Sequence, residues 1–180
     1  MSTRLRSALT GLALASLAVA AAACGGGEED SRLECAESPG SAKNVKVVVA
    51  DLGNGGEALA LADCTPLYVN DVDTEKRIRC TGRCASVWMP LKVAKGGTVT
   101  TQTPVPIAPI TIVERPNGDQ QAAINGMPLY TYSEEGEQGA DGDGVTDSFG
   151  ANEFSWSVVT PEEAAARAGG ATGGGLGLGG

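Results

Sequence analysis

The sequence predicts a mostly β protein: one antiparallel β domain built from two similar repeat units, a short C-terminal helix, and disordered termini. Three observations predict it. Runs of β-branched residues alternate with turn-prone Asn, Asp, Gly and Pro; Pro66-Leu67-Tyr68 returns as Pro128-Leu129-Tyr130; and both ends of the chain lack apolar periodicity over Gly-rich stretches.

Arg4 and Arg6 open the chain as a short positive region, and Leu9 to Ala20 follow as an uncharged run rich in Leu and Ala. Ala21, Ala22 and Ala23 then lead to Cys24. That order of charge, apolar stretch and small residues is a secretory signal over residues 1–23. The run is too short and Ala-rich for a membrane span, which takes about 20 predominantly apolar residues. A cysteine directly after the small residues predicts lipidation: the Cys24 thiol takes an acyl chain such as palmitate, and Cys24 becomes the new N-terminus. Bacterial sites of this kind usually carry Leu three residues before the cysteine, where this chain has Ala21. Residues 24–42 combine Gly, Ser, Pro and acids and form a flexible, lipid-anchored linker.

Removing residues 1–23 takes two of the 13 basic residues and none of the 22 acidic ones, leaving a net charge near −11. That balance argues against a nucleic-acid partner and against electrostatic attraction to anionic lipid heads. Membrane contact must then run through the lipid, with at least two acyl chains for a stable anchor. The expected location is extracytoplasmic, on the bacterial cell membrane, and the expected state is a monomer with an unknown protein or small-ligand partner.

The folded domain is expected over residues 43–160. Lys43 to Ala50 is a β-branched run, first alternating and then continuous, and Ile110 to Val113 is a second, closed by the turn Arg115-Pro116-Asn117-Gly118. Gln120 to Ile124, Asn125-Gly126 and Met127 to Tyr132 read as a hairpin about its Asn-Gly turn. Phe154 to Val158 alternates apolar residues with Ser, as a half-buried strand does. Thr160-Pro161-Glu162-Glu163 supplies an N-cap, a Pro at the first turn and a capping-box Glu for a helix over residues 161–168. Residues 169–180 are a Gly-rich, disordered tail.

The two Pro-Leu-Tyr copies each follow a turn-prone pair and each precede a tryptophan, Trp88 or Trp156. They predict two units, at about residues 47–95 and 108–160, that bury their faces on each other. The second copy, Tyr130-Thr131-Tyr132-Ser133-Glu134-Glu135, resembles the Tyr-x-aromatic-x-x-Asp motif of a family of predicted bacterial lipoproteins, the secreted repeat of unknown function. Glu135 stands where that family has Asp. The first copy keeps Tyr68 and Asp73 but has Asn70 at the aromatic position. Cys80-Thr81-Gly82-Arg83-Cys84, with Trp88 and Pro90-Leu91 after it, is similar to a further segment of the family. The resemblance spans residues 47–160 and implies a fold, but no activity.

With Cys24 lipidated, four cysteines remain: Cys35, Cys64, Cys80 and Cys84. An even number in an exported chain argues for two disulfides, with three pairings open and Cys80–Cys84 with Cys35–Cys64 favoured. A tight Cys80–Cys84 bridge flanked by Arg79 and Arg83 also admits a redox role.

The acidic stretch from Glu134 to Glu153 holds Asp141, Asp143 and Asp147 among glycines, a spacing that offers oxygens to calcium, the single candidate cofactor. Lys76, Arg77, Arg79 and Arg83 concentrate the basic charge and read as a solvated hairpin end. Tyr68, Tyr130, Tyr132, Trp88 and Trp156 read as core anchors. The chain has no His, no Gly-x-Ser-x-Gly elbow and no phosphate loop. No catalytic residue is therefore assigned, and a non-enzymatic binding or presentation module is expected. The alternatives are a redox or electron-transfer accessory protein using Cys80 and Cys84, and a calcium-stabilised adhesion module.

Overall fold

The computed structural model of the protein describes residues 43–53, 56–103, 107–136 and 139–169. The signal, Cys24, Cys35, the linker and the tail beyond Gly169 lie outside the described residues. The described chain is mostly β, 47% strand against 9% helix, as the sequence predicts.

The first strand, β1 (Asn44–Asp51), pairs antiparallel with β2 (Glu57–Leu61) and parallel with β6 (Thr98–Gln102). That parallel pair departs from the antiparallel domain expected. It also explains the β1 sequence, because a strand covered on both faces reads as a nearly continuous apolar run. Val45, Val47 and Val49 enter an aliphatic core with Leu59, Leu67, Leu91, Ile124 and Leu129. Val48 and Ala50 enter an aromatic core.

A second hairpin joins β7 (Ile110–Glu114) to β8 (Gln120–Ile124), and β5 (Lys92–Val93) lies on the other side of β8. The Asn125-Gly126 turn forms as expected, with φ of 52° and 76°, the left-handed pair that a two-residue hairpin requires. Its return strand is shorter than the sequence suggested. Only β9 (Met127–Pro128) pairs with β8, and β10 (Tyr130–Tyr132) leaves for another sheet. Leu129 makes the transition, since its backbone N–H still donates to Ala122 while its own carbonyl accepts from Leu91.

The central sheet runs β11 (Thr146–Phe149), β12 (Asn152–Val158), β3 (Tyr68–Asn70), β10, β4 (Trp88–Pro90). Tyr68 and Tyr130 face each other across β3 and β10. On the two sides of that pair the bonding repeats. Leu67 N–H donates to Leu59, and Val159 N–H donates to Leu67; Leu129 N–H donates to Ala122, and Leu91 N–H donates to Leu129. Each tryptophan strand pairs with the Pro-Leu-Tyr strand of the other half of the chain: β4 with β10, and β12 with β3.

Among the described residues, two short helices complete the fold. Cys84–Val87 forms α1, one turn ahead of Trp88. Pro161–Gly169 forms α2, where Thr160 Oγ1 accepts from Glu163 N–H at 3.2 Å and Glu163 Oε2 accepts from Thr160 N–H at 3.4 Å. This is the reciprocal cap the sequence predicts. Among the described residues no helix is long and apolar enough to cross a membrane.

Candidate functional site

The site grows from the alternation along β12 and the pairing of β3 with β10. Phe154, Trp156 and Val158 point inward while Ser155 and Ser157 face out, so β12 lays Trp156 against the strands that carry Tyr68 and Tyr130. Trp88, from β4, stacks on Trp156 with ring centroids 4.0 Å apart and planes 6° apart. Tyr132 stacks on the other face of Trp88 at 4.3 Å. Tyr130 meets Trp156 edge-on at 5.1 Å, and Tyr68 meets Trp88 edge-on at 5.4 Å. Burying an aromatic of this size removes roughly 150–250 Å² from water, about 4–6 kcal/mol of gross stabilisation each. The stack is thus the main apolar contribution of this half of the molecule.

Carboxylates hold the polar ends of these rings. Tyr130 hydroxyl donates to Asp73 Oδ2 at 2.7 Å, and Tyr68 hydroxyl donates to Glu135 Oε2. The two motif copies therefore exchange partners: the tyrosine of each binds the acid of the other. Asp73 is buried and also accepts from Asn70 Nδ2 at 3.1 Å, Arg79 N–H at 2.6 Å and Cys80 N–H at 3.3 Å. A buried carboxylate is tolerated only when donors saturate it in this way. Asn70 explains the departure at the aromatic position of the first copy. Its Oδ1 accepts from the Val72 and Asp73 N–H groups, closing the turn that aims Asp73 inward.

Burial, and then the adjoining carboxylate, push the hydroxyls of Tyr68 and Tyr130 well above the ordinary tyrosine range. Tyr132 moves the same way, from partial burial and from Glu134 beside it. All three are thus proton donors under ordinary conditions.

The acidic stretch contributes to the same centre through separate hydrogen bonds. Trp88 Nε1–H donates to Asp147 Oδ2 at 2.8 Å, Gly136 N–H to Asp141 Oδ2 at 3.0 Å, and Val158 N–H to Asp143 Oδ1 at 2.9 Å. Each of the three carboxylates that the sequence offers to one cation thus accepts from a different donor. Among the described residues no group of three or more Cys, Asp or Glu side chains is placed to hold a metal ion. The stretch instead forms the β11–β12 hairpin, and its Gly142 passes so close to Trp88 that a Cβ there would lie 2.7 Å from the ring. Gly142 N–H donates to Tyr68 hydroxyl at 3.3 Å.

Cys80 and Cys84 form the expected disulfide, with Cα atoms 5.1 Å apart, and both are buried against the aromatic stack. Cys64 is also disulfide-bonded and packs against the same core. Lys76, Arg77, Arg79 and Arg83 are exposed, and the first two sit in a tight turn bridged by Thr74 and Arg77, as a solvated hairpin end should.

Beside the disulfide, an open cleft of about 560 Å³ is lined by Cys84, Val87, Tyr132 and Phe149, with Arg83 and Glu134 among its polar residues. Sequence reasoning named Tyr132 and Cys84 but assigned no role to Phe149, Glu134 and Gly142, which belong to a stretch read for its aspartates. It also missed Arg115, read only as part of a turn. Arg115 is buried, and its guanidinium donates to Cys80 O at 2.6 Å and to Gln121 Oε1. Gln121 passes the chain of bonds on to Leu129 O at 2.7 Å.

Fold and site together define a small, mostly β domain organised on paired tyrosine–carboxylate motifs around an aromatic stack. Residues 111–159 match the family described as a secreted repeat of unknown function, the family the sequence resembles. The match takes in Tyr130, Tyr132, Glu135, Gly142, Asp147 and Trp156, whereas Tyr68, Asp73 and Trp88 lie before it. No curated protein and no solved structure matches the chain.

Proposed function

We propose that the protein is an exported, lipid-anchored, non-enzymatic module that binds a small flat ligand, or one side chain of a partner protein, in the cleft at Tyr132. The cleft is the observation that supports this reading. Its volume of about 560 Å³ falls within the range of small-molecule clefts. Tyr132, Phe149 and Val87 supply apolar surface, while Arg83 and Glu134 offer one charge of each sign to orient a polar substituent. The stack behind Tyr132 keeps its ring from collapsing inward, so the surface is preorganised. Two similar halves that exchange strands and motif partners would form the rigid support, with only the second half carrying the aromatic Tyr132.

The export part of this reading rests on residues 1–24 and on the secreted character of the matched family. It is tested by expressing the full chain in a bacterium and following membrane partition and intact mass with Cys24 and with Cys24→Ala. The wild-type protein should carry acyl mass and pellet with membranes, and the variant should do neither. For the cleft, the probes are aromatic carboxylic acids and aromatic amines titrated in an isotope-labelled sample. Shifts should concentrate at Val87, Tyr132 and Phe149 and weaken in Tyr132→Ala; shifts spread elsewhere, or absent, would sink the binding reading.

A second reading, redox work by Cys80–Cys84, is favoured by one observation: Cys84 lines the cleft. Thiol trapping across graded redox buffers decides it. A bridge that resists down to about −300 mV is structural.

A further inference from the structure

An apolar core needs only apolar volume, and Leu or Val would supply it without burying charge. This core is instead filled with the most readily oxidised ring side chains, and the polar hydrogens of three of them are aimed at carboxylates: Tyr130 at Asp73, Tyr68 at Glu135 and Trp88 at Asp147. Trp156 differs. It is 1% exposed and, among the described residues, its Nε1–H has no hydrogen-bond partner, an arrangement that calls for a reason.

We propose that Tyr132, Trp88, Trp156 and Tyr130 form a one-electron relay that carries oxidising equivalents from the cleft to the buried Tyr130–Asp73 pair. The successive centroid separations are 4.3, 4.0 and 5.1 Å. At such contacts transfer is limited by the energies of the radicals and not by distance. Tyr132 is half-buried and lines the cleft, so the relay has an entrance.

The electron balance is as follows. A one-electron oxidant of the organic peroxyl class, arriving in the cleft, takes one electron and one solvent proton and leaves as a hydroperoxide. That electron comes from Tyr130, by way of Trp156, Trp88 and Tyr132. The phenolic proton of Tyr130 moves to Asp73, leaving a neutral phenoxyl radical and a carboxylic acid. An oxidised phenol is a far stronger acid than any carboxylic acid, so even a carboxylate held by several donors accepts that proton. A soluble reductant of the enediol or phenol class returns the electron by the same path, and the proton returns to Tyr130. Trp88 can hold the hole for longer, because Asp147 takes its indole proton. Trp156 has no such acceptor among the described residues, keeps its proton, and so passes the hole on. Its unpartnered N–H is what a transit station needs.

The test uses the full chain and a ruthenium(III) polypyridyl complex generated by a light flash as the one-electron oxidant. Transient absorption and freeze-trapped paramagnetic resonance report which ring holds the radical. The wild-type protein should end with a phenoxyl radical at Tyr130, whose resonance signature is lost in Tyr130→Phe and in Trp88→Phe, where any phenoxyl signal left is that of Tyr132. Asp147→Asn should change the transient indole signal from the neutral to the cation form. A Tyr130 radical undiminished in Trp88→Phe, or a radical that never leaves Tyr132 and Trp88, would overturn the relay. Should Trp88→Phe fail to fold, Trp156→Phe tests the same path and the Asp147→Asn signature decides independently.

Discussion

Replacing Gly142 by Ala should destabilise the protein although it adds one methyl group to a hairpin loop. The Cβ would lie 2.7 and 2.9 Å from two carbons of the Trp88 ring and 3.0 Å from the Tyr68 ring. Favourable carbon–carbon contact begins near 3.5 Å, so ring or loop must move by roughly 0.5–1 Å. Trp88 has little room to yield, for it is stacked between Tyr132 and Trp156 and its indole N–H is bonded to Asp147. Overpacking of this kind costs about 1–3 kcal/mol. If the shift breaks the indole–carboxylate bond, that loss adds about 1.5–3 kcal/mol. Stiffening the unfolded chain offsets only about 0.4–1 kcal/mol. Central values give a net loss of about 1 kcal/mol with that bond intact and about 3–4 kcal/mol with it broken, to be read as a lower urea midpoint at unchanged slope, followed by tryptophan fluorescence and far-ultraviolet dichroism. A change within about 0.5 kcal/mol, the scatter of ordinary surface substitutions, would refute the reasoning.

Three further outcomes follow from the same centre. Because Tyr68 and Tyr130 keep their protons above the ordinary tyrosine range, the unfolded chain ionises first. Stability should be fully present below about pH 10 and fall above it, by up to about 1.4 kcal/mol per pH unit for Tyr130, with Tyr68 acting in the same direction. Urea titrations at rising alkaline pH check this, and a flat profile contradicts it. Opening the Cys80–Cys84 bridge with Cys84→Ser should cost about 2 kcal/mol, the chain-entropy value for so short a loop; a loss beyond about 4 kcal/mol would mean that the bridge also holds the Asp73 donors in place. Calcium should leave the melting temperature unchanged, since Asp141, Asp143 and Asp147 are bonded to separate donors; a rise that depends on calcium concentration would show that the hairpin reorganises around the ion.

Local patterns carried much of the fold. The Asn-Gly turn, the alternation of Phe154 to Val158 and the cap at Thr160 are set by residues within a few positions of one another, and they form as read. The parallel pairing of Thr98–Gln102 with Asn44–Asp51 was not legible, because an exposed Thr-rich strand carries no signal of its partner. The departure of β10 from its hairpin was equally hidden. Leu129 is apolar in either arrangement, and only the tertiary pairing of Tyr130 with Tyr68 decides which sheet receives the strand. At the site, motif and repeat singled out Tyr68, Asp73, Trp88, Tyr130, Tyr132, Glu135 and Trp156, which the structure brings together. Their crossing could not be read from spacing, since each bond spans more than fifty residues. The aspartates show the same limit: calcium spacing and a hairpin whose carboxylates cap separate donors look alike in sequence.

The central claim is that the tyrosine of each motif is held by the acid of the other, and a double-mutant cycle tests it most directly. Tyr130→Phe and Asp73→Asn, alone and together, should show a coupling of about 1–3 kcal/mol in equilibrium unfolding, as a buried bond to a charged group requires. Tyr68→Phe with Asp73→Asn, the pair from one motif copy, should be additive within about 0.5 kcal/mol. Coupling confined to Tyr68 with Asp73, and absent between Tyr130 and Asp73, would contradict the account.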